Sequence, residues 1–211
     1  MIRLDHIGKS FGSRTVLSDV SVELEPASHL VVRGSSGSGK TTLLRIIAGL
    51  ELPDAGRVEL DGKLASDPTG SIAPHERSIG FAFQTPALWP HMTVGRNVAF
   101  PLQTRTPGAG LAEVIEGLEL GGLVDKLPHQ LSGGEARRVS IARAIVAKPA
   151  RMLLDEPLTH LDADRQRGVL DFVLDHAERS GSSLIVVTHS EAETERIGGQ
   201  VLSLAAGRSA T

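Results

Sequence analysis

The sequence contains no cysteine and no tyrosine, and only one tryptophan and five phenylalanines among 211 residues. Without cysteine there are no disulfides and no thiolate metal sites, a usage that suits a reducing compartment. With aromatics at 3%, any aromatic beside a motif carries weight. Basic excess is also missing: the formal net charge is -3, which weighs against a nucleic-acid partner. No stretch approaches the ~18 apolar residues of a membrane span. The N-terminal Met1 to His6 lacks the apolar run of a secretory leader. Work at a membrane would therefore require docking on something already there. Internal repeats and low-complexity tracts are absent as well.

What is present is an ordinary globular composition, 40% hydrophobic and 22% charged. The length allows one sizeable core. Ile2–Leu4 and Val20–Leu24 alternate like half-exposed strands, and Leu30–Val32 reads as a buried strand ending at Gly34. Thr41–Leu50 is compatible with a helix. Arg57–Leu60 followed by Asp61-Gly62 predicts a strand entering a hairpin turn. Ile79–Phe83 is a further strand. From Thr85 to about Ala147 the apolar spacing is mostly helical, punctuated by Pro86, Pro90, Pro101, Pro107 and Pro128. Met152–Leu154 and Leu184–Val187 read as buried strands flanking a helix over about 164–179, and Val201–Leu204 reads as the last strand. Alternating strands and helices imply an α/β core with a mainly parallel sheet. Ligands on such sheets sit beyond the strand C-termini, so the polar residues there are the candidates.

Gly34-Ser35-Ser36-Gly37-Ser38-Gly39-Lys40-Thr41 fits G-x-x-x-x-G-K-[ST] in full, between a strand and a helix. Glycines let successive N–H groups turn inward around phosphate oxygens, and the helix N-terminus adds its positive end. Lys40 supplies charge for the β- and γ-phosphates of ATP, Thr41 offers a hydroxyl to Mg²⁺, and Thr42 completes the first turn beside them. A plain Gly/Ser-rich turn is the competing reading. Asp155 and Glu156 end a buried strand, which Pro157 stops. Asp155 would hold Mg²⁺, and Glu156, pointing the other way, would polarise the attacking water. The competing reading is a strand end with solvated acids. Arg151 departs from the apolar pattern and is expected at the strand's start, away from the site. Leu131-Ser132-Gly133-Gly134-Glu135 opens a helical stretch. Ser132 and Glu135 spell a capping box, yet a box does not require two glycines, whose cost makes sense if a phosphate must approach closely.

On these motifs the sequence resembles the nucleotide-binding subunit of ATP-binding-cassette (ABC) transporters, from about Ile2 to Gly207. Leu131–Glu135 matches the family signature, with Glu where Gln is commonest, and 138–144 (Arg-Val-Ser-Ile-Ala-Arg-Ala) matches the helix that follows. The resemblance implies a P-loop NTPase core with a small antiparallel β subdomain and an inserted helical subdomain, the core at 1–84 and 148–211 and the insert at 85–147. It implies that two subunits pack head to tail, Ser132 and Gly134 capping the γ-phosphate of the partner's ATP. Gln84 is similar to the glutamine that senses Mg²⁺ and water, and His189 to the histidine that contacts the γ-phosphate. Thr159-His160-Leu161-Asp162 occupies the D-loop linking the two sites, with His160 in place of a small residue. Phe11 sits where an aromatic stacks on adenine; ordinary packing is its competing reading. Residues 87–94, with Trp89, resemble the segment that receives a membrane subunit's coupling helix in importers, or Trp89 simply packs the insert. The other histidines, His6, His29, His75, His91, His129 and His176, lack ligand spacing and are expected at the surface or in loops.

The function so implied is Mg·ATP hydrolysis powering transport, with import favoured, through separate membrane subunits. The location implied is peripheral, on the cytoplasmic face of the membrane, with a homodimer and no nucleic acid as partner. Nothing after Gly207 suggests the regulatory domain of some sugar importers. The alternatives are ABC ATPases of DNA repair, chromosome organisation or translation, and those that drive lipoprotein release or cell division. The short span from Lys40 to Asp155, the missing cysteines and the single phosphate loop count against the first group.

Overall fold

The computed structural model describes residues 1–102, 110–205 and 208–210, so Pro107 and Gly207 lie outside the described residues. In chain order the elements are β1 (Ile2–Phe11), β2 (Arg14–Leu24), β3 (His29–Gly34), α1 (Lys40–Ala48), β4 (Ala55–Leu60), β5 (Lys63–Asp67), β6 (Gly70–Ser71) and β7 (Ile79–Ala82). Then come α2 (Val94–Ala99), α3 (Gly110–Gly117), α4 (Gly133–Ile145), β8 (Arg151–Asp155), α5 (Ala163–Ser180), β9 (Ser183–Val187), α6 (Glu191–Ile197), β10 (Gln200–Ala205) and β11 (Arg208–Ala210). The chain forms two compact units, 1–79 with 183–211, and 80–182.

In the first unit the strand order is β6-β5-β4-β1-β2-β11-β10-β3-β9. One part is antiparallel: β1 runs against β2 and β4, and β4 against β5. The hairpin turn predicted at Asp61-Gly62 joins β4 to β5, both residues at positive φ (51° and 75°) as such two-residue turns require. The other part is parallel, with β3 between β10 and β9. Leu30, Val31 and Val32 of β3 and Leu184–Val187 of β9 are fully buried, the continuous apolar run of a strand covered on both faces. Helix α1 contributes Leu43, Leu44, Ile46 and Ile47 to the same core.

Two strands differ from expectation. β1 is far longer than Ile2–Leu4, because its pairing with β2 shifts register after Leu4, where His6 stands at φ 53° and Asp19 opposite at φ 58°. Such bulges break the alternation that marks a strand. Val201–Leu204 is not the last strand either: β11 follows and runs antiparallel to β10, Ser203 facing Ala210. Its Arg-Ser-Ala sequence carries no apolar alternation to reveal it.

In the second unit β7 lies beside β8, all five of whose residues are buried. Arg151 begins β8, as expected, and is buried there. Helix α4 is buried nearly all round, from Arg137 to Ile145. Helix α5 buries Val169, Leu170, Val173, His176 and Ala177, one stripe at helical spacing. His176 is thus a core residue at 2% exposure, not a surface one, because its position in that stripe outweighs its polarity. The remaining five histidines are exposed or half-buried. Among the described residues no helix is long and apolar enough to cross a membrane.

Candidate functional site

The first unit carries the phosphate loop. β3 ends at Gly34, and the chain turns through Ser35, Ser36 and Gly37, all exposed, into α1. Gly39 is the N-cap of α1 at φ 98°, and a Cβ there would lie 2.7 Å from Leu17 Cδ2 and 2.8 Å from the Val16 carbonyl. Only glycine fits. Because Gly39 has no side chain, no side-chain oxygen caps α1, and its first turn holds no acidic residue. Thr41 and Thr42, half-buried, lie in this first turn, at the helix end whose dipole favours an anion. Ser38 is 2% exposed and its Oγ has no hydrogen-bond partner. Lys40 is buried, its Nζ donating to the carbonyls of Gly34 and Ser35, each at 2.9 Å. The ammonium is thereby held against the loop it would serve. Arg14 Nη2 donates to the Gly37 carbonyl at 3.3 Å.

Two more predicted residues lie on this unit. Phe11 ends β1 with 51% of its surface exposed, and Lys9 Nζ stands 5.3 Å from its ring centroid. So exposed a ring is not a packing residue. His189 follows β9 and is exposed, its loop braced on both sides. Thr188 Oγ1 donates to Glu193 and accepts from Ser190 N at 3.1 Å, and Ser190 Oγ accepts from Glu193 N at 3.2 Å.

The second unit carries the acids. Asp155 ends β8 at 1% exposure. Glu156 follows at φ 48°, a left-handed conformation that a non-glycine residue adopts at a cost. Gln84 lies two residues past the end of β7, and its Nε2 donates to Glu156 Oε2 at 3.1 Å. The glutamine and the candidate base are therefore together. Thr159 Oγ1 donates to the Glu156 carbonyl at 2.9 Å.

The signature begins α4. Ser132 is its N-cap, Oγ accepting from Glu135 N at 3.2 Å while Glu135 Oε2 accepts from Ser132 N at 2.7 Å. The capping box is real, and the Ser132 N–H, followed by the Ser132 hydroxyl, holds the Glu135 carboxyl below its usual range. The two glycines have different reasons. A Cβ on Gly134 would meet the His160 carbonyl at 2.9 Å and Leu161 Cδ2 at 3.0 Å, so packing on the D-loop accounts for it without any ligand. A Cβ on Gly133 would meet nothing within 4 Å. Leu131, half-buried, precedes this cap. Asp162 caps α5, accepting from Arg165 N at 3.0 Å. Trp89 packs within its own unit, ring centroids 4.2 Å from Phe100 and Arg143 Cζ 4.6 Å above the ring.

The sequence reading missed Arg137, Thr188 and Glu193, and placed Thr159 in the D-loop without its bond to Glu156. Arg137 had one signal, a charge inside a helix buried all round, which must be matched by partners.

Comparison with known proteins agrees with these motifs. Residues 17–159 match the ABC transporter family. The chain is 42% identical over 210 residues to the Fe(3+) ions import ATP-binding protein FbpC 3 of Rhodococcus jostii, covering 98% of this chain and 60% of that protein. It is 38% identical over 213 residues to the spermidine/putrescine import ATP-binding protein PotA of Chromobacterium violaceum, covering 99% and 58%. The chain thus spans about three fifths of the length of these curated relatives. Among solved structures, the dimeric post-hydrolysis state of the ATP-binding cassette MJ0796 bound to ADP and Pi superimposes with a TM-score of 0.89 at 30% identity, covering 100% of this chain and 97% of that one.

Proposed function

The chain belongs to the ABC transporter family, and from that membership we propose that it hydrolyses Mg·ATP to drive solute import through separate membrane subunits. The carrying observation is the phosphate loop. An uncapped helix start, a buried Ser38 hydroxyl without a partner and a buried Lys40 ammonium make a cradle fitted to a triphosphate. The exposed Phe11 ring is suited to stack on the adenine.

The hydroxyl of Thr41, the carboxylate of Asp155 and the amide oxygen of Gln84 are hard oxygen donors, the set that holds Mg²⁺. When bound, Mg²⁺ neutralises charge on the β- and γ-phosphates. Gln84 gives its amide nitrogen to Glu156, which leaves the oxygen end for the cation. Glu156 orients the attacking water and accepts its proton; His189 donates to the γ-phosphate. Leu131, Ser132, Gly133, Gly134 and Glu135 face the ATP of a second copy, with Asp162 in the loop between the two sites. The division into a core at 1–84 and 148–211 and a helical insert at 85–147 belongs to the same reading, as does a peripheral place on the cytoplasmic face of the membrane. The import assignment is supported by the names of the relatives. Their cargoes are a metal ion and polyamines, so selection lies with other subunits.

Turnover of Mg·ATP by the purified chain tests this. Glu156→Gln is expected to keep nucleotide binding and lose at least about 100-fold in rate, while Lys40→Ala loses binding in a calorimetric titration. Full turnover by Glu156→Gln, or unchanged affinity in Lys40→Ala, would overturn the proposal.

A further inference from the structure

We propose that Arg137, through a closed circuit of hydrogen bonds, is the positioning residue that sets the Glu156–Gln84 pair, and so makes α4 the frame of the hydrolytic centre. This rests on the reading that Glu156 orients the water.

Arg137 is 3% exposed and its Nε is buried without a hydrogen-bond partner, so its place depends on the bonds its two terminal nitrogens make. Its Nη1 donates to the Phe83 carbonyl at 2.8 Å and its Nη2 to Thr159 Oγ1 at 3.0 Å. Thr159 Oγ1 passes its own proton to the Glu156 carbonyl at 2.9 Å. Phe83 is bonded to Gln84, whose amide donates to the Glu156 carboxylate at 3.1 Å. The circuit therefore runs from Arg137 through Phe83, Gln84, Glu156 and Thr159 and back. It grips Glu156 twice, once by its backbone carbonyl and once by its carboxylate.

Glu156 needs such a grip. At φ 48° it holds a conformation that persists only when its surroundings over-determine it. Burial lowers the pKa of Arg137 from its ordinary value, and the charges of Asp155 and Glu156 oppose that shift. Further along the same helix, Arg143 donates to the carbonyls of Ala87 at 2.9 Å and Pro86 at 3.0 Å. Carbonyls on both sides of Gln84 are thus fixed from α4. A lysine at 137 would not reproduce the planar fork, which reaches the Phe83 carbonyl with one terminal nitrogen and Thr159 Oγ1 with the other.

The test compares Arg137→Met, Thr159→Val and the double variant with the wild type in the purified chain. Each single variant is expected to lower kcat about 10- to 100-fold. KM for Mg·ATP stays within about threefold, because these residues set geometry and do not bind nucleotide. The double variant is no slower than the slower single one, since both break one circuit. In the nucleotide-free protein, amides of residues 156–161 exchange faster in every variant. Thr159→Ser, which keeps the hydroxyl, recovers most of the rate, and it carries the test with Thr159→Val if Arg137→Met does not fold. Unchanged kcat, additive losses, or kcat falling in step with ATP affinity would overturn the proposal. If the wild type and Glu156→Gln turn over alike, the reading of Glu156 has failed instead. If Glu156→Gln is inactive and the Arg137 variants run at the wild-type rate, only the positioning role has.

Discussion

An imidazole in a packed helix stripe must stay neutral, and His176 shows the consequence. It is 2% exposed, its Nε2 lies 3.1 Å from the Ile145 carbonyl, and its ring stands 5.9 Å from that of Phe172. Burial pushes its pKa below the ordinary 6.5; the Ile145 carbonyl and Glu113 oppose the shift, and Lys148 and Arg179 add to it. The folded protein therefore takes up this proton at lower pH than the unfolded chain. Where the unfolded chain is protonated and the folded one is not, the unfolded state binds more protons, so stability rises with pH. The contribution is complete above about pH 6.5 and is lost as the pH falls below it. Thermal melts at pH 7.5 and 5.5 are expected to show a drop at the lower pH that His176→Gln diminishes. Equal drops in both proteins would assign the pH effect to other groups.

At the scale of the element, α4 combines a helix cap, a close approach and an open face within one turn. Ser132 and Glu135 close the cap, Gly134 makes room for the His160 carbonyl, and a Cβ on Gly133 would meet nothing within 4 Å. The two glycines should therefore respond differently. Gly134→Ala forces a backbone contact apart and is expected to cost about 1–3 kcal/mol in denaturant unfolding. Gly133→Ala gains helix propensity, at most about 1 kcal/mol, and leaves the fold intact. Its ATPase rate is nonetheless expected to fall, because the added methyl occupies the face offered to a phosphate. A Gly133→Ala protein as destabilised as Gly134→Ala would show that the face is not open. The same helix shows what a sequence can disclose. Gly34–Thr41, Leu131–Glu135 and Asp155–Glu156 were legible because each is a motif of set residue identities at fixed spacing. Arg137 was not, because two of the links in its circuit end on carbonyl oxygens, at Phe83 and Glu156, which every residue has. β1 was read short because a bulge erases alternation, and β11 was missed because three polar or small residues carry none. His176 was misread by type where its spacing in α5 was the better guide.

At the scale of the whole molecule, the roles proposed for the phosphate loop and the signature ask for a partner. A phosphate loop binds nucleotide from one side, and a signature with an exposed Ser132 and an open Gly133 presents a second surface suited to the same ligand. If ATP is shared between two copies, nucleotide binding and pairing are linked, and each must strengthen the other by the same factor. Hydrolysis then removes the shared ligand and the pair separates. Stalling the chemistry should accordingly trap the pair. Glu156→Gln with Mg·ATP is expected to elute from gel filtration as a dimer, and as a monomer with ADP or when Mg²⁺ is chelated. Lys40→Ala should remain monomeric under all three conditions, because it lacks the nucleotide. Ser132→Arg, added to Glu156→Gln, should bind ATP in calorimetry yet stay monomeric, because the new side chain blocks the surface offered to the other copy, while the lost cap of α4 costs about 1 kcal/mol. If Glu156→Gln stays monomeric with saturating Mg·ATP, the shared site is wrong, although the phosphate loop itself could still bind ATP. If Ser132→Arg dimerises unimpeded, the copies meet through some face other than the start of α4.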